Sequence, residues 1–114
     1  MRSLLLLICF SALITSTITA KDTLRVLFIG NSYTYYNNMP QLVRCISENT
    51  NTVLITKNST KGGASLEQHW KGLRNLKTRK ILEEEKFDYV VLQNQSLSTI
   101  DHTTRFHKYM DLFI

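Results

Sequence analysis

Three runs of apolar residues in this chain have the length and composition of β-strands. Leu24 to Ile29 is the first, Val53 to Thr56 is a short second run, and Phe87 to Leu92 is the third. The first and third runs are nearly continuous, which is typical of strands that are covered on both faces of a parallel sheet. The pattern therefore predicts three strands of a buried sheet.

Apolar residues at helical spacing lie between and after these strands. Pro40 suits the first turn of a helix that runs to about Glu48, because that position needs no amide hydrogen. Ser65 to Gln68 is a capping-box signature for a second helix, which continues to about Lys86 with Gly72 as a candidate break. Thr103 to Ile114 predicts a third helix, amphipathic in its spacing.

The resulting order, β-α-β-α-β-α, predicts an α/β fold with a parallel sheet between two layers of helices, in the manner of flavodoxin. We expect the strand order two-one-three, with the polar ends of all three strands at one edge. The last residues, Leu112 to Ile114, are apolar and lie in the middle of a helical pattern. We therefore expect the front portion of a larger domain, truncated after the third strand and its helix.

The first twenty residues have the build of a secretory signal peptide. A short positive start, Met1 to Ser3, precedes an apolar run from Leu4 to Ile14 and a small, polar segment that ends at Ala20. The apolar run is shorter than the roughly 20 residues of a spanning helix, so the alternative of a stable membrane anchor is disfavoured. Residues 1–20 are predicted to be the signal and 21–114 the exported domain, secreted or periplasmic.

Charge and cysteine content exclude several classes of function. The net charge is +5 over the whole chain, but Arg74 to Lys80 is followed directly by Glu83 to Glu85, as on a solvated helix face. We therefore expect no nucleic-acid partner. Cys45 is the only cysteine beyond the signal, so no internal disulfide can form, and its helical pattern predicts a buried thiol. No metal or cofactor motif accompanies it.

Candidate chemistry lies where the three strands end, because parallel strands bring their carboxyl ends to one edge. Ser32 offers a hydroxyl nucleophile after the first strand. The N–H groups of Ser32 and Gly63 and the side-chain amide of Gln95 are candidate donors to an oxyanion. Each residue also has a plainer interpretation: a cap for Ser32, a turn for Gly63 and a solvated loop for Gln95.

The three segments resemble the SGNH hydrolases, also called GDSL-type esterases. Residues 26–34 with Asn38-Met39-Pro40 resemble the first block of that family, residues 61–66 the second, and residues 88–96 the third block of a branch with a Gln-x-Gln-Ser motif. The resemblance implies that Ser32 is the nucleophile and first oxyanion donor. It also implies that Gly63 and Gln95 are the second and third donors.

Two features depart from the family's pattern. Asn31 replaces the usual aspartate, and the Asp-x-x-His that supplies the base does not occur in this chain. His102 and His107 follow the third strand too early for that motif, and both are predicted to be surface residues, as is His69. The resemblance implies an exported serine hydrolase acting on a small-molecule ester, such as an acylated carbohydrate. The alternatives are a flavodoxin-like module that binds phosphate or another ligand, and a non-catalytic relative.

Overall fold

The structure, a computed structural model, describes residues 20–114. The predicted signal peptide, apart from Ala20, lies outside the described residues. The strands are β1 (Asp22–Gly30), β2 (Thr52–Thr60) and β3 (Tyr89–Leu92). The helices are α1 (Ser32–Tyr35), α2 (Met39–Ser47), α3 (Leu66–Lys71), α4 (Thr78–Glu84), α5 (Ser98–Asp101) and α6 (Thr103–Asp111).

The sheet is three-stranded and parallel, in the order β2-β1-β3. The predicted α/β class and strand order are therefore confirmed. β1 is the central strand, paired with β2 along Asp22–Gly30 and with β3 along Val26–Ile29. This position explains why Val26 to Gly30 are buried without a break, since neighbours cover both edges and helices lie over both faces.

The main apolar core lies on one face of the sheet. Leu27 and Ile29 of β1 point there and pack with Leu66 of α3 and Tyr109 of α6. Half-buried apolar side chains surround this cluster, among them Trp70, Ile81, Phe106 and Phe113. Burial of these side chains fixes α3, α4 and α6 against the sheet.

Helix α2 covers the opposite face, over β2. The backbone N–H of Leu54 donates to the Ser47 hydroxyl over 2.8 Å, which ties the end of α2 to the middle of β2. On the same face of β3, Tyr89 and Val91 are 60% and 40% exposed. Among the described residues, β3 is therefore covered on one face only, whereas its apolar run predicted cover on both.

The prediction of a buried Cys45 is wrong, because its thiol is exposed. Helix α2 contacts the rest of the protein through Pro40, Val43 and Ser47, which share one side of the helix. Of the apolar residues that predict the buried face, Leu42, Val43 and Ile46, only Val43 packs, whereas Leu42 and Ile46 are exposed together with Cys45. The reason is that the packed face is centred on the small Ser47, whose hydroxyl bonds to β2.

Several boundaries also differ from prediction. β2 extends to Thr60 because its pairing with β1 continues to Gly30. The segment Gly30 to Asn38, which its polar and aromatic residues predict to be a turn, contains α1 and a 3₁₀ turn, Tyr36–Asn38. The long predicted helix is interrupted where expected, at Gly72, which has φ +67°. A left-handed backbone of this kind ends a helix at little cost in glycine.

We expect Leu27→Ala to lower the free energy of unfolding by about 2–5 kcal/mol, because it opens a cavity at the centre of the core. Ile55→Ala on β2 is the matched control, since Ile55 is 47% exposed. That control should cost less than about 1 kcal/mol. Urea denaturation followed by circular dichroism measures both values, and equal losses would contradict the assignment of the core.

Candidate functional site

Three loops leave the sheet at the same edge. Gly30 at the end of β1 pairs with Thr60 at the end of β2, and Ile29 pairs with Leu92 at the end of β3. The segments that carry Ser32, Gly63 and Gln95 therefore begin side by side. Ser32 is the first residue of α1 and is half-buried, whereas Gly63 and Gln95 are exposed.

The side chain of Asn31 joins these loops and is only 2% exposed. Its amide nitrogen donates to the backbone carbonyl of Ala64 over 3.1 Å and to that of Asn94 over 3.3 Å. Its side-chain oxygen accepts from the N–H of Tyr33 over 3.1 Å and caps α1. The immediate neighbours of Ser32, Gly63 and Gln95 are thus hydrogen-bonded through one side chain.

Gln93 provides a second link between the first and third loops. Its side-chain oxygen accepts from the Asn31 N–H over 2.9 Å and from the Thr34 hydroxyl over 3.0 Å. Both bonds cross directly above Gly30, where a Cβ would clash with the Thr34 hydroxyl and lie 2.8 Å from the Gln93 oxygen. A Cβ at Gly30 would therefore force the Thr34 and Gln93 side chains to move and disturb both bonds.

Asn94 connects the third loop to α3. Its side-chain oxygen accepts from the N–H of Leu66 over 3.0 Å, and its amide donates to the Ser98 hydroxyl over 2.6 Å. Ser65 and Gln68 form the predicted capping box just before this contact. Sequence analysis did not find the roles of Asn31, Gln93 and Asn94, although the cluster of amide side chains beside the strand ends was a usable signal.

The backbone N–H groups of Ser32 and Gly63 donate no hydrogen bond to any other group in residues 20–114. Gly63 has φ +66°, and no heavy atom lies within 4 Å of the point where a Cβ would be. The side-chain amide of Gln95 is likewise unbonded within this range. All three groups can therefore donate to water or to a ligand.

No base is in contact with the Ser32 hydroxyl among the described residues. His102 is exposed and lines a cleft together with Gln95 and Arg105, but Ser32 is not part of that cleft. His107 is exposed on α6, with its ring centre 5.3 Å from that of Phe106. These two histidines are surface residues, as predicted.

The prediction that His69 is a surface residue is wrong, because its side chain is 0% exposed. Its Nδ1 lies 2.6 Å from the Thr78 hydroxyl and its Nε2 lies 2.9 Å from the Gly30 carbonyl oxygen. Leu66 and His69 are three residues apart on α3, so both point toward the sheet. Burial lowers the pKa of His69, and the hydrogen bond to Gly30 opposes this only in part.

Other types of site are not found in the described part of the chain. No group of three or more His, Cys, Asp or Glu side chains there can hold a metal ion, and no helix there is long and apolar enough to cross a membrane. The basic residues of α4 form surface ion pairs, Arg79 with Glu83 and Lys80 with Glu84, each at 3.5 Å. This is the solvated face that the charge pattern predicted.

Comparison with known proteins adds no assignment: no family model matches the chain, and neither does any curated protein or solved structure.

We expect Asn31→Asp to destabilise the protein by at least about 1–3 kcal/mol at pH 7, because a buried carboxylate cannot donate to the two carbonyls. The loss should shrink as pH falls toward about 4, the ordinary pKa of the carboxyl in the unfolded chain, since a protonated carboxyl regains one donor. Asn58→Asp, at an exposed position on β2, is the control and should stay within about 0.5 kcal/mol. Urea midpoints at both pH values measure the effect; similar losses for the two variants would contradict it.

Stability should fall as pH drops below about 6.5, the ordinary pKa of histidine. The pKa of buried His69 is lowered in the folded state, so the unfolded chain binds a proton on this ring at a higher pH than the folded chain does. The neutral ring therefore contributes its full stability above pH 6.5, and this stability is lost as pH falls. His69→Gln should be less stable at pH 8 but show a flatter slope between pH 8 and 5.5. Urea midpoints across this pH range measure the slope; if His69→Gln keeps the slope of the unmodified chain, another group carries the effect.

Proposed function

We propose that this chain is the N-terminal part of an exported SGNH-type serine hydrolase, with Ser32 as nucleophile and a small ester as substrate. An acylated carbohydrate is one such ester. The observation that carries the proposal is the set of unbonded donors at one sheet edge: the N–H groups of Ser32 and Gly63 and the amide of Gln95. Backbone donors that the fold holds in place before the reaction, here the N–H groups of Ser32 and Gly63, are what an oxyanion requires.

In the proposed reaction, the Ser32 oxygen bonds to the ester carbonyl carbon while its proton passes to a base. The carbonyl oxygen becomes an oxyanion, which accepts hydrogen bonds from Ser32, Gly63 and Gln95. Collapse of this intermediate breaks the bond to the alcohol, which leaves with the proton. Water then hydrolyses the acyl-serine and restores the hydroxyl. The family resemblance assigns the base to the histidine of an Asp-x-x-His motif, which is not present in residues 1–114.

The local structure supports a nucleophile at Ser32 more than a purely structural role. The cap of α1 is the side chain of Asn31, not that of Ser32. The Ser32 hydroxyl makes no hydrogen bond to other described residues, so the plainer interpretation of a capping serine loses its main support. A hydroxyl that is half-buried at the edge and not engaged in the fold is available to a substrate.

The test measures hydrolysis of p-nitrophenyl acetate by the 114-residue chain and by the product of its complete reading frame. We expect the 114-residue chain to be no faster than its Ser32→Ala variant, since a base must lie within hydrogen-bond reach of the hydroxyl. We expect a product with Asp-x-x-His to turn over the ester and Ser32→Ala to abolish this. Cys45→Ser is the control for hydrolysis by the exposed thiol of Cys45, and it should leave the rate of ester hydrolysis unchanged.

Gly63→Val in the active product should lower kcat/KM by about tenfold or more, because valine disfavours the positive φ that presents the N–H. Absence of Ser32-dependent turnover in a product that contains Asp-x-x-His would refute the proposal. Ser32-dependent turnover by the 114-residue chain would show instead that the base is internal. His102 and His107 would then be replaced in turn.

A further inference from the structure

The carbonyl oxygen of Gly30 joins two of the three loops at the candidate site. It accepts from the Lys61 N–H over 3.2 Å and from the His69 ring, whose Nε2 lies 2.9 Å away. Gly30 lies two residues before Ser32, and Lys61 lies two residues before Gly63. Both lone pairs of this oxygen are in use, and the ring bond arrives from a third element, α3.

A row of hydrogen bonds runs from the Ser59 hydroxyl through Thr78 and His69 to the Gly30 carbonyl. Because that carbonyl can only accept, it sets the donor and acceptor of every bond in the row. A backbone carbonyl only accepts, so Nε2 of His69 carries a proton. In the neutral ring Nδ1 is then an acceptor, and the Thr78 hydroxyl donates to it. The Ser59 hydroxyl lies 2.8 Å from that of Thr78 and is therefore the donor to it. A single arrangement of protons therefore satisfies every hydrogen bond from the Ser59 hydroxyl to the Gly30 carbonyl.

We propose that His69 is a positioning residue for the Ser32 and Gly63 turns, acting as the neutral Nε2–H tautomer that Thr78 and Ser59 hold in place. The inference rests on the proposed function only in treating these turns as an oxyanion site. The ring touches neither turn's donor directly. It acts through the Gly30 carbonyl, which it fixes in the orientation that also accepts from Lys61.

Every group that the ring bonds to is uncharged: the Gly30 carbonyl of β1 and the Thr78 hydroxyl of α4, with the Ser59 hydroxyl of β2 behind it. Among the described residues, no charged side chain forms a hydrogen bond or ion pair with it. Charged residues of α3 and α4 form ion pairs with one another and not with the ring: Glu67 with Lys71 at 2.6 Å on α3, and Arg79 with Glu83 at 3.5 Å on α4.

A second proton on the ring would therefore act against this arrangement. Protonated Nδ1 becomes a donor, so the Thr78 hydroxyl must turn round to accept from it, and Ser59 must in turn accept from Thr78. The positive charge would be buried without a counter-ion among residues 20–114. The neutral ring is thus the form that positions the two turns.

The test uses nuclear magnetic resonance on the intact ¹⁵N-labelled chain. At pH 8 the ring signals of His69 should report the Nε2–H tautomer, which its two hydrogen bonds select. As pH is lowered, the amide signals of Ser32 and Gly63 should move in step with the His69 ring. An Nδ1–H tautomer at His69, or amide signals that ignore its titration, would overturn the proposal.

Variants of Thr78 separate positioning from simple packing. Thr78→Val keeps the shape but removes the hydroxyl, and it should shift the Ser32 and Gly63 amides and speed exchange of the Lys61 N–H by about tenfold or more. Thr78→Ser restores the donor and should return all three signals, while Thr104→Val on the exposed side of α6 should move none. Unchanged signals in Thr78→Val would refute the proposal; if that variant does not fold, the tautomer of the unmodified chain decides.

None of these signals depends on ester hydrolysis. If Ser32 proves not to be a nucleophile while the tautomer and the coupled amide shifts are observed, the proposed function fails and the role of His69 in holding the two turns stands. If hydrolysis depends on Ser32 but His69 is found as the Nδ1–H tautomer, the proposed function stands and the positioning role of His69 fails.

Discussion

The buried amide of Asn31 donates to the carbonyls of Ala64 and Asn94, and through these bonds it links the loops that follow all three strands. Its oxygen accepts from the Tyr33 N–H, so the same side chain begins α1. A polar group this deeply buried must find partners for its donors and acceptor. A side-chain amide supplies two donor hydrogens and an acceptor oxygen, whereas an ionised carboxylate has no hydrogen to donate.

Gly30 is the second fixed point, and here the constraint is space combined with hydrogen bonding. The Gln93 and Thr34 side chains meet over its Cα, so a Cβ at this position would displace both of them. On its other side the carbonyl accepts from Lys61 and His69. The end of the central strand is therefore held by Gln93 of the third loop and by His69 of α3. The position of this strand end determines where the neighbouring Ser32 lies.

Helix α3 shows how the apolar core and the polar edge depend on one another. Leu66 packs on Leu27 and Ile29 in the core, and its own N–H donates to Asn94 in the third loop. One turn later, His69 reaches the Gly30 carbonyl. A short helix thus transmits the rigidity of the core to the loops, since moving Leu66 would break contacts of both kinds.

The sequence by itself determined the elements whose signals are local, together with the strand direction: three strands, the Ser65–Gln68 capping box, the break at Gly72 and the parallel arrangement. Each depends on residues close together along the chain or on a general rule of chain connection. The burial of His69, the exposure of Cys45 and the linking role of Asn31 were decided only by tertiary structure. These properties depend on which helix face meets the sheet and on partners 9 to 63 residues away, and no local pattern contains that information.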